Sequence, residues 1–449
     1  MKAVGIIAEY NPFHLGHLRQ IQRIRETLGE DTPIVVAMSG AFVQRGEPSI
    51  ADKWSRGHSA LLCGADLVVE LPFTFACAPA PRFADGGVAL LNRLGILSHL
   101  SFGCETEDLA PLKRIAEVLA APTSAMEESI RESLRDGDAY PVAREKALLR
   151  HFSDDVELSA KLPNLLRAPN TILALEYLRA ITESGAALKP LLVRREGAGY
   201  HDTDATESIM SATGIREELL KIQCGNTSSE HFAGEAASRL TGKMPPEACS
   251  ILLRDWHSGI APVFPDTYIP QMIHSLSIHN EEWLQRIAYM GDSLSGHLKN
   301  CTDGLRLAPR ETLTDAFSQR IYTRHYANTR VNRALISLLT GQTQRDIEDL
   351  SAPQYIRVLG FTRKGQFLLK VMREAASLPI ITKSSDFREF GKNEPLTRMA
   401  ELDLLSQEMW NQAAGYPFGE EFQRQVIREK GKKKRKPAPN IEKTTGDAH

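Results

Sequence analysis

A doubly wound, parallel α/β sheet in the first half and a mainly helical second half form the architecture that this sequence predicts. Three observations carry that expectation. Four short apolar runs without alternation recur within the first 103 residues, as strands buried on both faces do. Helical spacing of Ala, Leu and Arg fills the stretches between them. The informative polar residues come just after the runs, at the carboxyl ends where such sheets bind ligands.

In chain order, residues 4–8 read as the first strand, and Asn11-Pro12 turns it into a helix over 17–28. Residues 34–38 form the second strand and 50–63 the second helix; 66–71, 85–94 and 99–103 continue as strand, helix and strand. Asn11 with His14, Ser39-Gly40, Glu70, and Gly103 with Glu105 all fall at strand ends. Beyond Arg216 helical patterns take over, at 215–222, 281–290 and 329–339. A chain of 449 residues exceeds one ordinary core. The expected division is a catalytic domain over 1–225, a mainly helical domain over 226–425 and a basic, disordered tail over 426–449.

Hydrophobic residues at 42% and charged residues at 24% are those of a globular protein in water. No apolar run is long enough to cross a bilayer, and the N-terminus enters a strand without a signal-peptide pattern, so a cytoplasmic, membrane-free protein is expected. Cys63, Cys77, Cys104, Cys224, Cys249 and Cys301 are scattered with no C-x-x-C pair. This argues for reduced thiols and against a protein-held metal. The net charge of −2 hides a basic second half: residues 318–373 hold ten Lys or Arg against three acids, and 430–436 are basic at six of seven positions.

The sharpest motif is His14-Leu15-Gly16-His17, behind the first strand and its Pro-directed turn. A helix start offers unpaired amides and the positive dipole end to phosphate. Two histidines three residues apart face one side of that helix and can both donate to phosphoryl oxygens, stabilising charge as an α-phosphate is attacked. A random chain of this length contains the pattern with a probability of about 0.03, which disfavours the blander reading of two surface capping histidines.

Met38 to Pro48 follows the second strand with small residues, Gln44 and Arg45, the place for a substrate. Ser211-Ala212-Thr213-Gly214-Ile215-Arg216 opens a later helix with two hydroxyls, free amides and a guanidinium for β- and γ-phosphates. Alone, Ser211 or Thr213 is equally a helix N-cap. Together with His-x-Gly-His, the Ser-x-Thr-x-x-Arg spacing resembles that of nucleotidyltransferases.

The resemblance then narrows. Glu9 to His17, Met38-Ser39-Gly40, Gln44-Arg45-Gly46-Glu47-Pro48, Phe102-Gly103-Cys104-Glu105, Ser211-Ala212-Thr213 and Tyr355 to Phe361 are similar to the bacterial tRNA(Met) cytidine acetate ligases, over nearly the whole chain up to about Trp410. The resemblance implies a Rossmann-like nucleotidyltransferase (HUP) domain. It also implies activation of acetate by ATP to acetyl-adenylate, and acetyl transfer to N4 of the wobble cytidine of elongator tRNA(Met).

Carried over by position, the family's ATP site falls on Ile7, Ala8, Glu9, Tyr10, Asn11, Pro12, Phe13, His14, Leu15, Gly16, His17, Leu18, Arg19 and Gln20, with Gly103, Asn170 and Arg195. Ser211, Thr213 and Arg216 join it from the second motif. His14 and His17 are the expected catalytic pair, with Mg²⁺ bridging phosphates and no protein metal ligand. Cys104 and Gly214 depart from the family pattern without removing a phosphate contact. No general base stands out.

Arg320, Arg324, Arg330 and Arg333, interleaved with His325, Tyr322 and Tyr326, form the expected tRNA surface, with cations for phosphates and rings for bases. Two other classes stay open at this stage. One is an adenylyltransferase acting on a small phosphorylated metabolite, although more than two hundred residues follow the second motif. The other is a non-catalytic nucleotide- and RNA-binding protein. A class I aminoacyl-tRNA synthetase is disfavoured because a Lys-Met-Ser-Lys-Ser-type loop is missing.

Overall fold

A computed structural model describes residues 3–195, 210–224, 229–305, 312–390 and 394–430. Among these residues eight strands form one sheet: β1 (Ala3–Ala8), β2 (Ile34–Ser39), β3 (Leu67–Leu71), β4 (Leu97–Cys104), β5 (Lys189–Arg194), β6 (Ile356–Thr362), β7 (Ile380–Ile381) and β8 (Ile427–Glu429). The order is β5-β4-β1-β2-β3-β6-β7, with β8 on the outer edge of β6. β1 to β5 run parallel, and β6 joins β3 antiparallel. The helices α1 (Leu15–Leu28) and α2 (Lys53–Leu62) follow β1 and β2, and Ala80–Arg93 precedes β4. The four expected strands and three expected helices are therefore all present, with shifted ends.

The expected boundary at 225 does not divide this sheet. β3 is buried along its whole length, so its outer backbone edge needs a partner. β6 supplies it, with Leu67 opposite Phe361 and Glu70 opposite Arg357. The mainly helical region thus returns three strands to the first half. The expected tail also begins too early, because residues 427–429 pair with Gly360–Thr362; residues 431–449 lie outside the described residues.

Two further differences come from helices. Four of them, Leu109–Ala120, Ser124–Arg135, Tyr140–His151 and Val156–Arg167, lie between β4 and the helix Pro169–Ser184, where the sequence reading placed no element. The expected helix over 281–290 stops at Gln285, because Ile287 bridges to Thr343. The expected 329–339 helix extends over Asn328–Thr340. Among the described residues, Cys63, Cys77, Cys104, Cys249 and Cys301 form no disulfide; the Cys224 side chain lies outside the described residues. Among the described residues no helix is long and apolar enough to cross a membrane.

A buried charge cluster locks the returning strand to the first half. Lys53 Nζ lies 2.9 Å from Glu70 Oε1 and 3.1 Å from Glu421 Oε1. Glu421 also accepts from Trp54 Nε1 at 3.0 Å, and Arg357 donates to Ser384 Oγ at 2.9 Å. Burial alone would lower the Lys53 ammonium, but Glu421 and Glu70 hold it above its ordinary value. Lys53→Met would leave two buried carboxylates short of a countercharge, so a loss of about 3–5 kcal/mol is expected. Urea denaturation of the variant beside the parent checks it, and a loss below about 1 kcal/mol contradicts it.

Candidate active site

The site begins where β1 ends. Tyr10 takes a positive φ of 48°, and the Asn11–Pro12 peptide is cis. A tyrosine holds that left-handed conformation only when its surroundings fix it. Here its ring packs on Phe13 and His17, with centroids 4.7 Å away in each case. The chain is thereby aimed into α1.

Local chemistry then sets the two imidazoles. His14 is the N-cap of α1, and its Nδ1 accepts from Gly16 N at 3.0 Å. His17 closes a capping box, its Nδ1 accepting from His14 N at 3.2 Å. With both Nδ1 atoms accepting, each neutral ring carries its proton on Nε2. The rings lie 3.8 Å apart at 33°. Burial lowers His14 to about 4, helped by Arg195, and burial with His14 and Arg195 holds His17 well below 6.5. At neutral pH the pair is therefore two uncharged Nε2–H donors.

The second motif meets the first. Arg216, in the helix Ala212–Cys224, donates to Asn11 O at 2.9 Å and to Thr213 Oγ1 at 3.4 Å, and pairs with Glu47 at 3.6 Å. Ser211 Oγ caps that helix by accepting from Gly214 N. Asn11 Oδ1 accepts from Ile50 N at 2.8 Å, while its buried Nδ2 has no partner among the described residues. Such a donor on a cavity wall suits a phosphoryl oxygen. Glu9 Oε1 accepts from Gln44 N at 3.0 Å. Burial raises the Glu9 carboxyl, opposed by the Gln44 amide and Arg216.

The remaining wall comes from β4 and β5. A Cβ on Gly103 would lie 2.5 Å from Arg195 Nε, so only glycine lets that side chain lie across the strand end. Asn170 sits in the first turn of Pro169–Ser184, where its Nδ2 donates to Glu105 at 2.7 Å. Glu105 also accepts from Thr171 N and Oγ1, at 2.7 and 2.8 Å. Burial would raise the Glu105 carboxyl, but its hydrogen bonds from Thr171 and Asn170 prevail and lower it. That helix start is thus already capped by a carboxylate, and Asn170 offers its amide beside it. Cys104 is buried, with Sγ 3.3 Å from Thr171 Oγ1. The segment 197–202 lies outside the described residues.

These groups surround one cavity of about 500 Å³, a size usual for small-molecule sites. Ile7, Ala8, Glu9, Tyr10, Asn11, His14, His17, Gln20, Gly103, Asn170, Arg195, Ser211, Thr213 and Arg216 all line it. Pro12, Phe13 and Gly16 shape the turn behind it, whereas Leu15, Leu18 and Arg19 face a separate outer groove. Ala80, Phe83, Leu173 and Tyr177, which no sequence motif singled out, join Phe102 in an apolar wall, and they stayed hidden because the wall joins elements far apart in the chain. A family model described as HIGH Nucleotidyl Transferase matches residues 1–424. A relative from Acetivibrio thermocellus named tRNA(Met) cytidine acetate ligase is 34% identical, over 95% of this chain and all of its own. The chain belongs to this ligase family.

Another family member, from Syntrophomonas wolfei, is 35% identical over 90% of this chain and 92% of its own. Among solved structures, the Thermotoga maritima TmcAL bound with alpha-thio ATP matches with a TM-score of 0.83 at 28% identity, over 96% of this chain and all of that one. Its apo form gives 0.85 at the same identity and coverage. The α/β nucleotidyltransferase fold is thus shared over 96% of this chain.

The expected tRNA residues do not form one surface. Arg333 is buried, donates to Gln44 O at 3.0 Å and lies over the Tyr289 ring, so it supports the cavity loop and leaves the RNA set. Arg330 is half-buried and donates to the carbonyls of Tyr289 and Met290 at 3.2 and 3.4 Å. Tyr322 and Tyr326 lie on no common helix, since Leu313–Ile321 ends before them and Asn328–Thr340 begins after them. Arg320 and Arg324 remain exposed. The cause is distance in sequence: Gln44 and Tyr289 claim these guanidinium groups from other elements.

The geometry predicts the protonation state of the pair. Imidazole ¹H–¹⁵N correlation spectra of the full chain will show His14 neutral, protonated on Nε2, down to pH 5, titrating at about 4. Because the unfolded ring protonates near 6.5, the unfolded chain binds the extra proton between 6.5 and about 4. The His14 contribution therefore makes the fold less stable as pH falls through that window. A His14 midpoint near 6.5 would contradict this arrangement.

Proposed function

We propose that the chain is an ATP-dependent ligase that activates acetate as acetyl-adenylate and acetylates N4 of the wobble cytidine of elongator tRNA(Met). One observation carries the reading: Arg216 reaches the Asn11 carbonyl, which joins the two phosphate-binding helix starts at a single cavity. The family relatives support the choice of substrate. A tRNA substrate supports a cytoplasmic site of action as part of this reading.

In the first step an acetate oxygen attacks the α-phosphorus and pyrophosphate leaves. His14 and His17 donate through Nε2–H to the α-phosphate oxygens, where charge develops. Ser211, Thr213 and Arg216 hold the β,γ end, with Asn11 Nδ2 as a further donor. Asn170, Gly103 and Arg195 bound the nucleotide's other side. Mg²⁺ bound with the phosphates would supply neutralisation of their charge. Glu9 and Glu47 are the carboxylates on this wall, which fits an ion held mainly by phosphate and water.

In the second step the cytidine amine attacks the acetyl carbonyl, forming the N–C bond as the C–O bond to AMP breaks. AMP leaves as its anion, and the amine's proton needs an acceptor. Glu9 takes it in this proposal: one oxygen is fixed by the Gln44 amide, and burial raises its affinity for a proton.

His17→Ala is expected to lower acetate-dependent ATP–pyrophosphate exchange by roughly 10²–10³-fold while the circular dichroism stays unchanged. A folded variant with normal exchange removes His17 from the chemistry. Glu9→Gln separates the steps: exchange continues, while tRNA acetylation falls by roughly 10²-fold or more. Equal loss of both would place Glu9 in nucleotide binding instead. Incubating the parent with ATP and labelled acetate, with and without tRNA, tests the whole reading. AMP transfer to a phosphorylated metabolite, independent of acetate, would replace it.

A further inference from the structure

An open groove of about 770 Å³ lies apart from the catalytic cavity. One wall is the helix Arg363–Ala375, on which Arg363, Gln366, Phe367, Lys370 and Arg373 follow one another at helical spacing and share a face. Lys383 and Arg428 stand on the other side. The place is fixed by β6, which runs antiparallel to β3 with Phe361 opposite Leu67, and by Thr362 N, which donates to Asp66 O at 2.9 Å. The groove therefore lies toward the amino end of β3, whereas the cavity opens at the carboxyl ends of the parallel strands.

The charge there is one-sided. Arg363, Lys370, Arg373, Lys383 and Arg428 are all exposed, and among the described residues no acid lines the groove. Of the nearby acids, Glu429 lies 3.2 Å from His58 and Asp386 accepts from the backbone amides of Thr382 and Lys383, while Glu374, exposed on the same helix, stands outside the groove lining. Phe367 stands among these cations with 54% of its surface exposed. From Arg363 to Arg373 the helix rises about 15 Å, a span that exceeds a single phosphate group and matches a run of them. Converging like charges with an open ring between them are what a nucleic acid strand requires, through phosphate contacts and base stacking.

We propose that this groove anchors tRNA at a distance from the wobble base: the five cations hold its phosphodiester backbone, and Phe367 stacks on an unpaired base. The proposal rests on the reading that tRNA is the substrate. A remote anchor contributes equally to the ground and transition states, so it changes KM for tRNA and leaves kcat alone.

The test uses the full chain carrying Arg363→Ala, Lys370→Ala and Arg373→Ala together, and separately Phe367→Ala; alanine at exposed helix positions keeps the helix. For the triple variant, the log–log salt slope of tRNA(Met) binding should fall by about 2–3 units. Its KM for tRNA should rise roughly tenfold or more at unchanged kcat. Phe367→Ala should weaken binding by roughly tenfold without changing the slope. Acetate-dependent ATP–pyrophosphate exchange without RNA should match the parent in both. An unchanged slope and KM in the triple variant, with a parent that acetylates tRNA, overturns the groove and leaves the functional reading standing. Loss of heparin binding with full tRNA affinity also overturns it, as a non-selective polyanion surface. A parent that neither binds tRNA nor shows acetate-dependent exchange overturns the functional reading, and the groove with it.

Discussion

One guanidinium organises the carboxyl end of the sheet. Arg56 of α2 is buried and donates to Glu9 O at 2.6 Å, Ser39 O and Ala51 O at 3.0 Å, and Gly40 O. Those carbonyls terminate β1 and β2 and precede α2, and no regular ladder satisfies them at a point where the chain leaves the sheet. Burial lowers Arg56 to about 10, with Asp52, Glu70 and Glu9 opposing it, so the group stays charged at neutral pH. Remove it and three strand-end carbonyls lose their donor together. The Tyr10 turn, the Gln44 loop and the direction of α1 all depend on that knot.

The resulting cavity works with aimed dipoles more than with fixed charge. Its central histidines are neutral because they are buried near Arg195 and because their Nδ1 atoms are occupied by helix-start amides. A neutral Nε2–H donor gains most as charge grows on an oxygen in a desolvated site and reorganises little in doing so. The full positive charges stand at the rim, on Arg45, Arg195 and Arg216. This division suits a reaction that must bind a polyphosphate, release pyrophosphate and then accept a second, large substrate.

The second half is built into the first. β6 completes the sheet edge, Arg357 and Glu421 bring charge from residues hundreds of positions away to Lys53, and Arg333 holds the Gln44 carbonyl 289 residues distant. An RNA anchor on the helix after β6 is therefore mechanically continuous with the nucleotide site. Asp403 shows the same coupling: it accepts from Phe73 N and from Tyr355 Oη, and burial with Glu70 raises it to about 7.

What could be read from residue order was what is local. Two histidines three positions apart on a first helical turn must face one way, and Gly16 between them must leave the amides open; no distant residue changes that. The four central strands were legible for a similar reason, since runs buried on both faces need no partner to be recognised. The region over 105–168 stayed unread because its helices bury narrow faces against one another and carry ordinary polar surfaces. The arginines of the second half went wrong in an instructive way. A cation's sequence neighbours say nothing of whether a carbonyl from another element waits for it, so Arg333 turned inward while Arg363, Lys370 and Arg373 stayed in water. Sequence determined the phosphate chemistry, which covalent spacing fixes; tertiary structure decided which cations remain free for RNA, because burial and hydrogen-bond partners are set by the packing of distant elements.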